Sequence, residues 1–433
     1  MINLATRLTN LSPARNRLVK DGAWATIGQV VAALGALVGV RVLTEMLPPE
    51  VYGAVSLLVG LMTLGCNLLA SPFNSSATRF YTDAVADKKL PFLRQTILRI
   101  QKRSAMILIL AIWLGGGVYS CVRDMHFIPF LALSMLTAAQ VFSTMEISLL
   151  NAARRQKAWA AWYGLEAWAK PFLAVILVLL LGRTPENILF GYAVAVGSIL
   201  LLFYLLPIKK EGTGQSDKRL KANLTFAADL LRYARPLIPL SLFLWITSLS
   251  PRYVLASLLG ETEVGIYTAT YGLISMPFMI VTGILTQTLR PAYFNSVSEG
   301  NRGMERKLFL TWIGLVILLA VFGVGAISLL SGFIAALFLG EEYRSGAVAL
   351  MPFIATGVAL EIIAHTFENA ILANKRSDLQ LLTHVIGSFA CAVSVLVLTT
   401  RYGLVGTAMA CPIYYSATLL AAILFSRVRR KHD

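Results

Sequence analysis

The sequence predicts an all-α polytopic membrane protein, with twelve transmembrane helices in two similarly oriented six-helix lobes. Three observations carry that prediction. Apolar residues make up 57% of the 433 residues and charged residues only 14%, at a mean hydropathy of +0.70, whereas soluble domains run near a quarter charged. Apolar runs close to the ~20 residues that cross a ~30 Å hydrocarbon core recur along the whole chain. Between successive runs the connections alternate between rich and poor in lysine and arginine.

Taken in order, the first six runs cover 23–43, 51–72, 104–122, 127–149, 158–181 and 188–206, and the second six cover 237–258, 265–289, 308–330, 347–373, 379–399 and 403–425. They are rich in Leu, Ile, Val and Ala and lack the alternation of membrane strands, so helices are the structure left to satisfy their backbones in lipid. Residues 1–22 are polar and basic and precede a run too long for a signal-peptide core, so the first run reads as an uncleaved anchor. Thirty of the 38 Lys and Arg residues fall on the side of the termini. Six fall on the other side, one per loop: Arg41, Arg123, Arg183, Arg252, Arg344 and Arg401. This asymmetry places both termini in the cytoplasm, and it assigns the net charge of +16 to anionic lipid headgroups. Nucleic acid is not an expected partner. Cys66, Cys121, Cys391 and Cys411 sit in apolar runs without pairing or CxxC spacing, so neither a disulfide framework nor a metal site is implied.

The connections are too short for a soluble domain. The division expected is an N-terminal six-helix lobe over 1–206, a cytoplasmic linker over 207–236 and a C-terminal six-helix lobe over 237–433. In the linker, Leu220, Leu224, Ala227 and Leu231 recur at helical spacing with Lys221 and Arg232 elsewhere, as in an amphipathic helix on the inner membrane face. A repeat supports the lobes. LPPEVYGAVSLL at 47–58 and LGETEVGIYTAT at 259–270 both separate two apolar runs, aligning Leu47 with Leu259 and Gly53 with Gly265 at 212 residues. Arg41 with Arg252 and Arg79 with Arg290 recur at 211. Six helices is an even number, so the halves share one orientation and are related by an axis along the membrane normal.

This layout, together with PRYVLASLLGETEVGIYTATYGL at 251–273 and LFLGEEYRSGAVALMPFIA at 337–355, resembles the polysaccharide-biosynthesis flippases of the O-antigen type, in the multidrug/oligosaccharidyl-lipid/polysaccharide (MOP) exporter superfamily. The resemblance implies a substrate, an oligosaccharide on a polyprenyl diphosphate, moved from the cytoplasmic to the outer leaflet by alternating access. It implies a bacterial cytoplasmic (inner) membrane location and a role in making lipopolysaccharide, exopolysaccharide or another surface glycan. Its expected partners are membrane lipids and a polysaccharide polymerase. No cofactor and no catalytic residue is expected, and there is no GxxxxGK[ST] pattern for bound ATP.

Cationic and titratable residues in or beside the runs are the candidates for carrying this function. An anionic diphosphate calls for cations, and arginine offers a bidentate fork. Arg79 and Arg290, at the inner ends of runs two and eight amid Asn74, Ser75, Ser76, Thr78, Thr286, Gln287 and Thr288, read either as substrate contacts or as snorkelling anchors. Arg41 and Arg252, at the outer ends of runs one and seven, read as interfacial anchors or exit-side charges. Glu166 and Lys170 have the favourable order of a helical ion pair. Lys170 lies ~18 Å along run five, near mid-membrane, where an unpaired ammonium costs at least ~2.5 kcal/mol, so the pair is either structural or part of a substrate site. Glu361, His365 and Glu368 share one stripe of run ten, either as an ion-coupling site or as an interhelical network that includes His384.

Two other functions stay open at this level. A MATE-like exporter of small organic molecules would favour an acidic, aromatic pocket, yet the first run offers Gln29 and no carboxylate. A membrane glycan polymerase or ligase is disfavoured by the short outer loops and by the lack of an evident nucleophile with its base.

Overall fold

The computed structural model describes residues 13–123, 126–205 and 228–427. Among the described residues every regular element is helical. In chain order these are α1 (Pro13–Met46), α2 (Pro49–Leu69), α3 (Ser71–Ala86), α4 (Leu90–Arg123), α5 (Ile128–Ala152), α6 (Gln156–Leu181) and α7 (Pro185–Leu205). The second half comprises α8 (Leu237–Leu258), α9 (Glu261–Ser298), α10 (Arg302–Phe338), α11 (Glu341–Ala373) and α12 (Ser377–Ser426).

Among the described residues eleven stretches are long and apolar enough to cross a membrane, and α3 is not one of them. The last, α12, has 50 residues, ~75 Å of helix against a ~30 Å core. It is two spans. Gly403 breaks it at φ 60, ψ −139, a left-handed conformation that glycine adopts without the steric cost of a Cβ. Across that turn a Cβ on Gly406 would lie 2.0 Å from the carbonyl oxygen of Leu398, and the hydroxyls of Thr399 and Thr407 meet at 2.7 Å. The twelve runs of the sequence are therefore twelve spans of a multi-pass membrane protein.

Within the first half α1 packs along α6, α6 on α7 and α7 on α5; within the second, α11 packs on α12 and α10, and α8 on α12. The halves meet chiefly through α2 against α9, with α8 against α2 and α9 against α1. The repeated glycines explain the first contact. A Cβ on Gly53 would lie 1.9 Å from the carbonyl oxygen of Glu261, and one on Gly265 would lie 1.9 Å from that of Pro49. Each helix start thus presses its backbone into the glycine of the other, and only glycine leaves room. One turn on, the hydroxyls of Ser56 and Thr268 meet at 3.2 Å.

The expected linker helix lies mostly outside the described residues. Its last part, residues 228–234, is helical; Leu230 is buried against Ala77, Tyr81 and Leu93, while Leu231 of the expected apolar stripe is 39% exposed.

Candidate functional site

The helix ends at the 46–49 and 258–261 turns close one side of the bundle. Beyond the glycine crossing, the backbone N–H of Gly340 donates to Thr44 Oγ1 at 3.0 Å, Tyr343 donates to the carbonyl of Leu47 at 2.9 Å, and Arg41 donates to the carbonyl of Leu339. Along the α2–α8 seam, Tyr253 donates to Leu57 O at 2.8 Å and Trp245 Nε1 to Gly60 O at 2.9 Å. These bonds leave the first half tied to the second along one edge and at one end.

Away from that end lie two adjoining cavities that share Met279 and Gly283 of α9, the larger walled by both halves and the smaller by the second half alone. The larger, about 680 Å³, is walled by α1, α5, α6 and α9. Its shape follows from small residues in α1. Gly28, Gly35 and Gly39 let α1 lie against Ala160, Trp168 and Pro171 of α6, and Ala32, Ala33 and Ala36 face the cavity without filling it. The smaller, about 350 Å³, lies among α8, α9, α11 and α12.

The wall of the larger cavity carries a closed polar network. Lys170 Nζ lies 2.7 Å from Glu166 Oε1 and 2.9 Å from Gln140 Oε1. Glu166, itself buried, also accepts from Ser143 at 2.8 Å and from Gln140 Nε2 at 3.2 Å, and Ser143 accepts from Trp162 Nε1 at 3.1 Å. A carboxylate with this many donors can stay charged in an apolar bundle. The expected Glu166–Lys170 pair is therefore present and faces the interior.

The smaller cavity brings Glu361, His365 and Glu368 together, with His384 from α12. Glu368 Oε1 lies 3.3 Å from His384 Nε2, and its Oε2 lies 3.5 Å from His365 Nδ1. Glu361 sits beside Tyr415, whose hydroxyl meets that of Tyr271 at 2.9 Å, and Glu361 Oε2 is buried without a hydrogen-bond partner. Among the described residues no group of three His, Cys, Asp or Glu is arranged to hold a metal ion.

The four arginines are dispersed. Arg79 is exposed on α3, 3.5 Å from Asp83, and Arg290 is exposed on α9 over the ring of Phe294 at 5.1 Å. Neither lines the two cavities. Arg41 pairs with Glu45 at 2.9 Å in the closed end. Arg252 lies among Tyr52, Tyr253, Tyr267 and Tyr271, with its Nε buried and unpartnered. The helix ends fall in a 212-residue register, so the arginine pairs, at 211, differ by one position. One residue is ~100° of helix, which is why their surroundings differ.

Sequence reasoning passed over Gln140, Ser143, Trp159 and Tyr163. The signal lay in α6, where Trp159, Tyr163, Glu166 and Lys170 form one stripe at helical spacing, with the polar residues Gln140, Thr144 and Ser148 recurring every fourth position on α5.

Comparison with known proteins bears on what such a chamber is for. Residues 18–297 match the family described as polysaccharide biosynthesis protein. No curated protein matches the sequence. Among solved structures the fold is similar to that of the lipid II flippase MurJ in an inward closed conformation, with TM-score 0.70 and 12% identity over 94% of this chain and 88% of that one. It is similar also to a MOP superfamily transporter from Pyrococcus furiosus, described as having reversed polarity in its binding pocket, at TM-score 0.67 and 14% identity over 94% and 93% of the two chains. An inward-facing multidrug resistance MATE family transporter of the same superfamily matches at TM-score 0.65 and 16% identity, over 92% and 94%. At these identities the likeness is one of fold.

Proposed function

The chain belongs to the polysaccharide biosynthesis protein family, and from that premise we propose that it is a flippase that carries a polyprenyl-diphosphate-linked oligosaccharide from the cytoplasmic to the outer leaflet of a bacterial inner membrane. The observation that carries this reading is a cavity walled by both halves that carries the Glu166–Lys170–Gln140 network, with the halves locked together at the end of the 46–49 and 258–261 turns. With both termini in the cytoplasm, the sealed end is the outer one and the chamber opens inward, ready for a headgroup arriving from the cytoplasmic leaflet. The halves then rock about their contacts to open the other end.

Lys170 suits the diphosphate. An ammonium has three donors; Glu166 and Gln140 take two, leaving one for a phosphoryl oxygen. Glu361, His365, Glu368 and His384 form the complementary ion-coupling site, because titratable groups inside a membrane are costly unless they work. Arg79 and Arg290 lie toward the inner mouth and attract the anionic headgroup. The product would serve O-antigen, lipopolysaccharide or exopolysaccharide assembly, with a polymerase acting next.

A second reading, a MATE-like exporter of organic cations, is favoured by the carboxylates Glu361 and Glu368 facing the smaller cavity. Reconstitution separates the two. In vesicles containing a fluorescent polyprenyl-diphosphate oligosaccharide, the protein should make the label reachable from the opposite leaflet. If lipid exchange is absent and an organic cation is extruded instead, the flippase reading fails.

A further inference from the structure

The larger cavity holds an element that neither the ion pair nor the ion-coupling cluster uses. Trp159 and Tyr163, one turn apart on α6, stack with ring centroids 5.2 Å apart and planes 13° from parallel, and both line the cavity wall. Tyr163 is 43% exposed although it stands inside the bundle. An interfacial anchor would put its ring against lipid. The lipid side of α6 is elsewhere, at the exposed Leu165, Phe172 and Leu179, which recur every seventh position. The stacked pair faces the chamber.

Resting on the flippase reading, we infer that Trp159 and Tyr163 form a sugar-binding platform that recognises the glycan portion of the substrate while Lys170 holds its diphosphate. The physical reason is complementarity. The C–H bonds on one face of a pyranose carry small positive charge, and the face of an aromatic ring is negative, so a sugar lies flat on a ring that would give a free hydroxyl nothing. Sugar hydroxyls need acceptors nearby, and α5 supplies them. Thr144 and Ser148 donate their own hydroxyl protons to the carbonyls of Gln140 and Thr144, so each residue brings to the cavity wall an oxygen with lone pairs to offer, Thr144 sharing its own with Asn74 at 3.5 Å. An aromatic floor beside a hydroxyl wall suits a carbohydrate.

The spacing fits one molecule. Tyr163 to Lys170 is a helical rise of ~10.5 Å, so the sugars nearest a diphosphate held at Lys170 reach the rings. An organic cation would also favour an aromatic face, but the Lys170 ammonium on the same stripe opposes it.

The test uses the full-length protein in vesicles with two fluorescent probes, a polyprenyl diphosphate bearing an amino-sugar disaccharide and the same lipid without sugar. Trp159→Ala and Tyr163→Ala should each raise the concentration of the glycosylated probe giving half-maximal exchange by about tenfold, with exchange of the bare lipid unchanged. Trp159→Phe and Tyr163→Phe should restore most of the loss, since a ring face returns. Thermal unfolding of each variant separates misfolding from lost recognition. If the alanine variants are folded and handle both probes as the parent does, or lose both equally while the phenylalanine variants recover nothing, the platform is wrong. If the parent exchanges neither probe, the flippase reading itself is wrong and the platform falls with it.

Discussion

The two regions where the halves of this chain face each other treat their common register in opposite ways. At the sealed end the repeat is kept where the two helix starts cross. Gly53 and Gly265 each receive the first turn of the other's helix, and Ser56 meets Thr268 at the same 212-residue offset. In the chamber it is abandoned. The first-half wall carries an ammonium, a carboxylate and a stacked aromatic pair, whereas the second-half wall carries two carboxylates and two imidazoles. The backbone follows the same rule, since α2 and α3 are separated at Ala70 while α9 runs unbroken over the corresponding 38 residues. Symmetry is retained where two helices must dock on each other. It is lost at the walls of the two cavities.

The strongest way to break this comparison is to fill a glycine. Gly53→Ala or Gly265→Ala puts a methyl group 1.9 Å from a backbone carbonyl oxygen, which no side-chain rotation can relieve. Overpacking of this kind costs at least ~1–3 kcal/mol, so the sealed arrangement should become about tenfold or more scarcer. A Ser56→Cys/Thr268→Cys disulfide reports it, because those hydroxyls already lie 3.2 Å apart. The bridge should form readily in the parent and poorly in either alanine variant. Equal yields would mean that the glycine crossing does not hold the seal.

The next effect concerns the first-half wall. Lys170→Ala leaves Glu166 buried with its cation gone, and breaking a buried pair costs about 3–5 kcal/mol. Lys170 keeps 28% of its side chain exposed, so the lower figure is expected. Adding Glu166→Gln should recover most of the lost thermal stability. His365→Ala, in the second wall, removes a half-exposed group 3.5 Å from Glu368, which retains His384 at 3.3 Å, and should cost much less. A reversal of that order would show that the second wall, not the first, is the structural one.

The glycine crossing was legible in the sequence because glycine at a helix start, repeated after half a chain, has few other uses. The twelve spans were legible for the same kind of reason, as long apolar runs separated by charge. The Glu166–Lys170 and Glu361–His365–Glu368 stripes were legible from spacing alone. What spacing does not give is rotation about the helix axis. Gln140 is one amide in an apolar run, and only the packing of α5 on α6 turns it toward Lys170. Trp159 and Tyr163 carry no signal of their own until α1, through its glycines, seats α6 with that stripe inward. The break at Ala70 is supported from a distant helix, where Ser104 donates to Leu69 O at 2.6 Å and Gln101 to Ala70 O at 3.1 Å beside the Asn74 N–H, and nothing in the local sequence shows that support.

A smaller effect sharpens the division of labour between the walls. Glu361→Gln and Glu368→Gln should leave the Ser56–Thr268 cross-link yield unchanged but remove the acceleration of exchange by an imposed proton or sodium gradient. Glu361 is the better target, since its Oε2 has no partner in the sealed state and is free to take up a proton or a cation. Gradient-dependent exchange persisting in both variants would leave the second wall without its proposed role.

The smallest effect is expected at Arg79 and Arg290. Both side chains are exposed and hold weak local partners, Asp83 at 3.5 Å and the Phe80 ring at 5.9 Å for Arg79 and the Phe294 ring at 5.1 Å for Arg290, so alanine at either site should leave thermal stability unchanged. The contribution proposed for them is to the encounter with an anionic headgroup, which acts through long-range charge and is screened by salt. Exchange in Arg79→Ala and Arg290→Ala should therefore fall only about threefold at low ionic strength, with the difference fading near ~1 M salt, where charges interact over ~3 Å. A loss that persists at high salt would mean direct contact with the diphosphate inside the path, and the rotation separating the two arginines would then have to reverse when the sealed end opens.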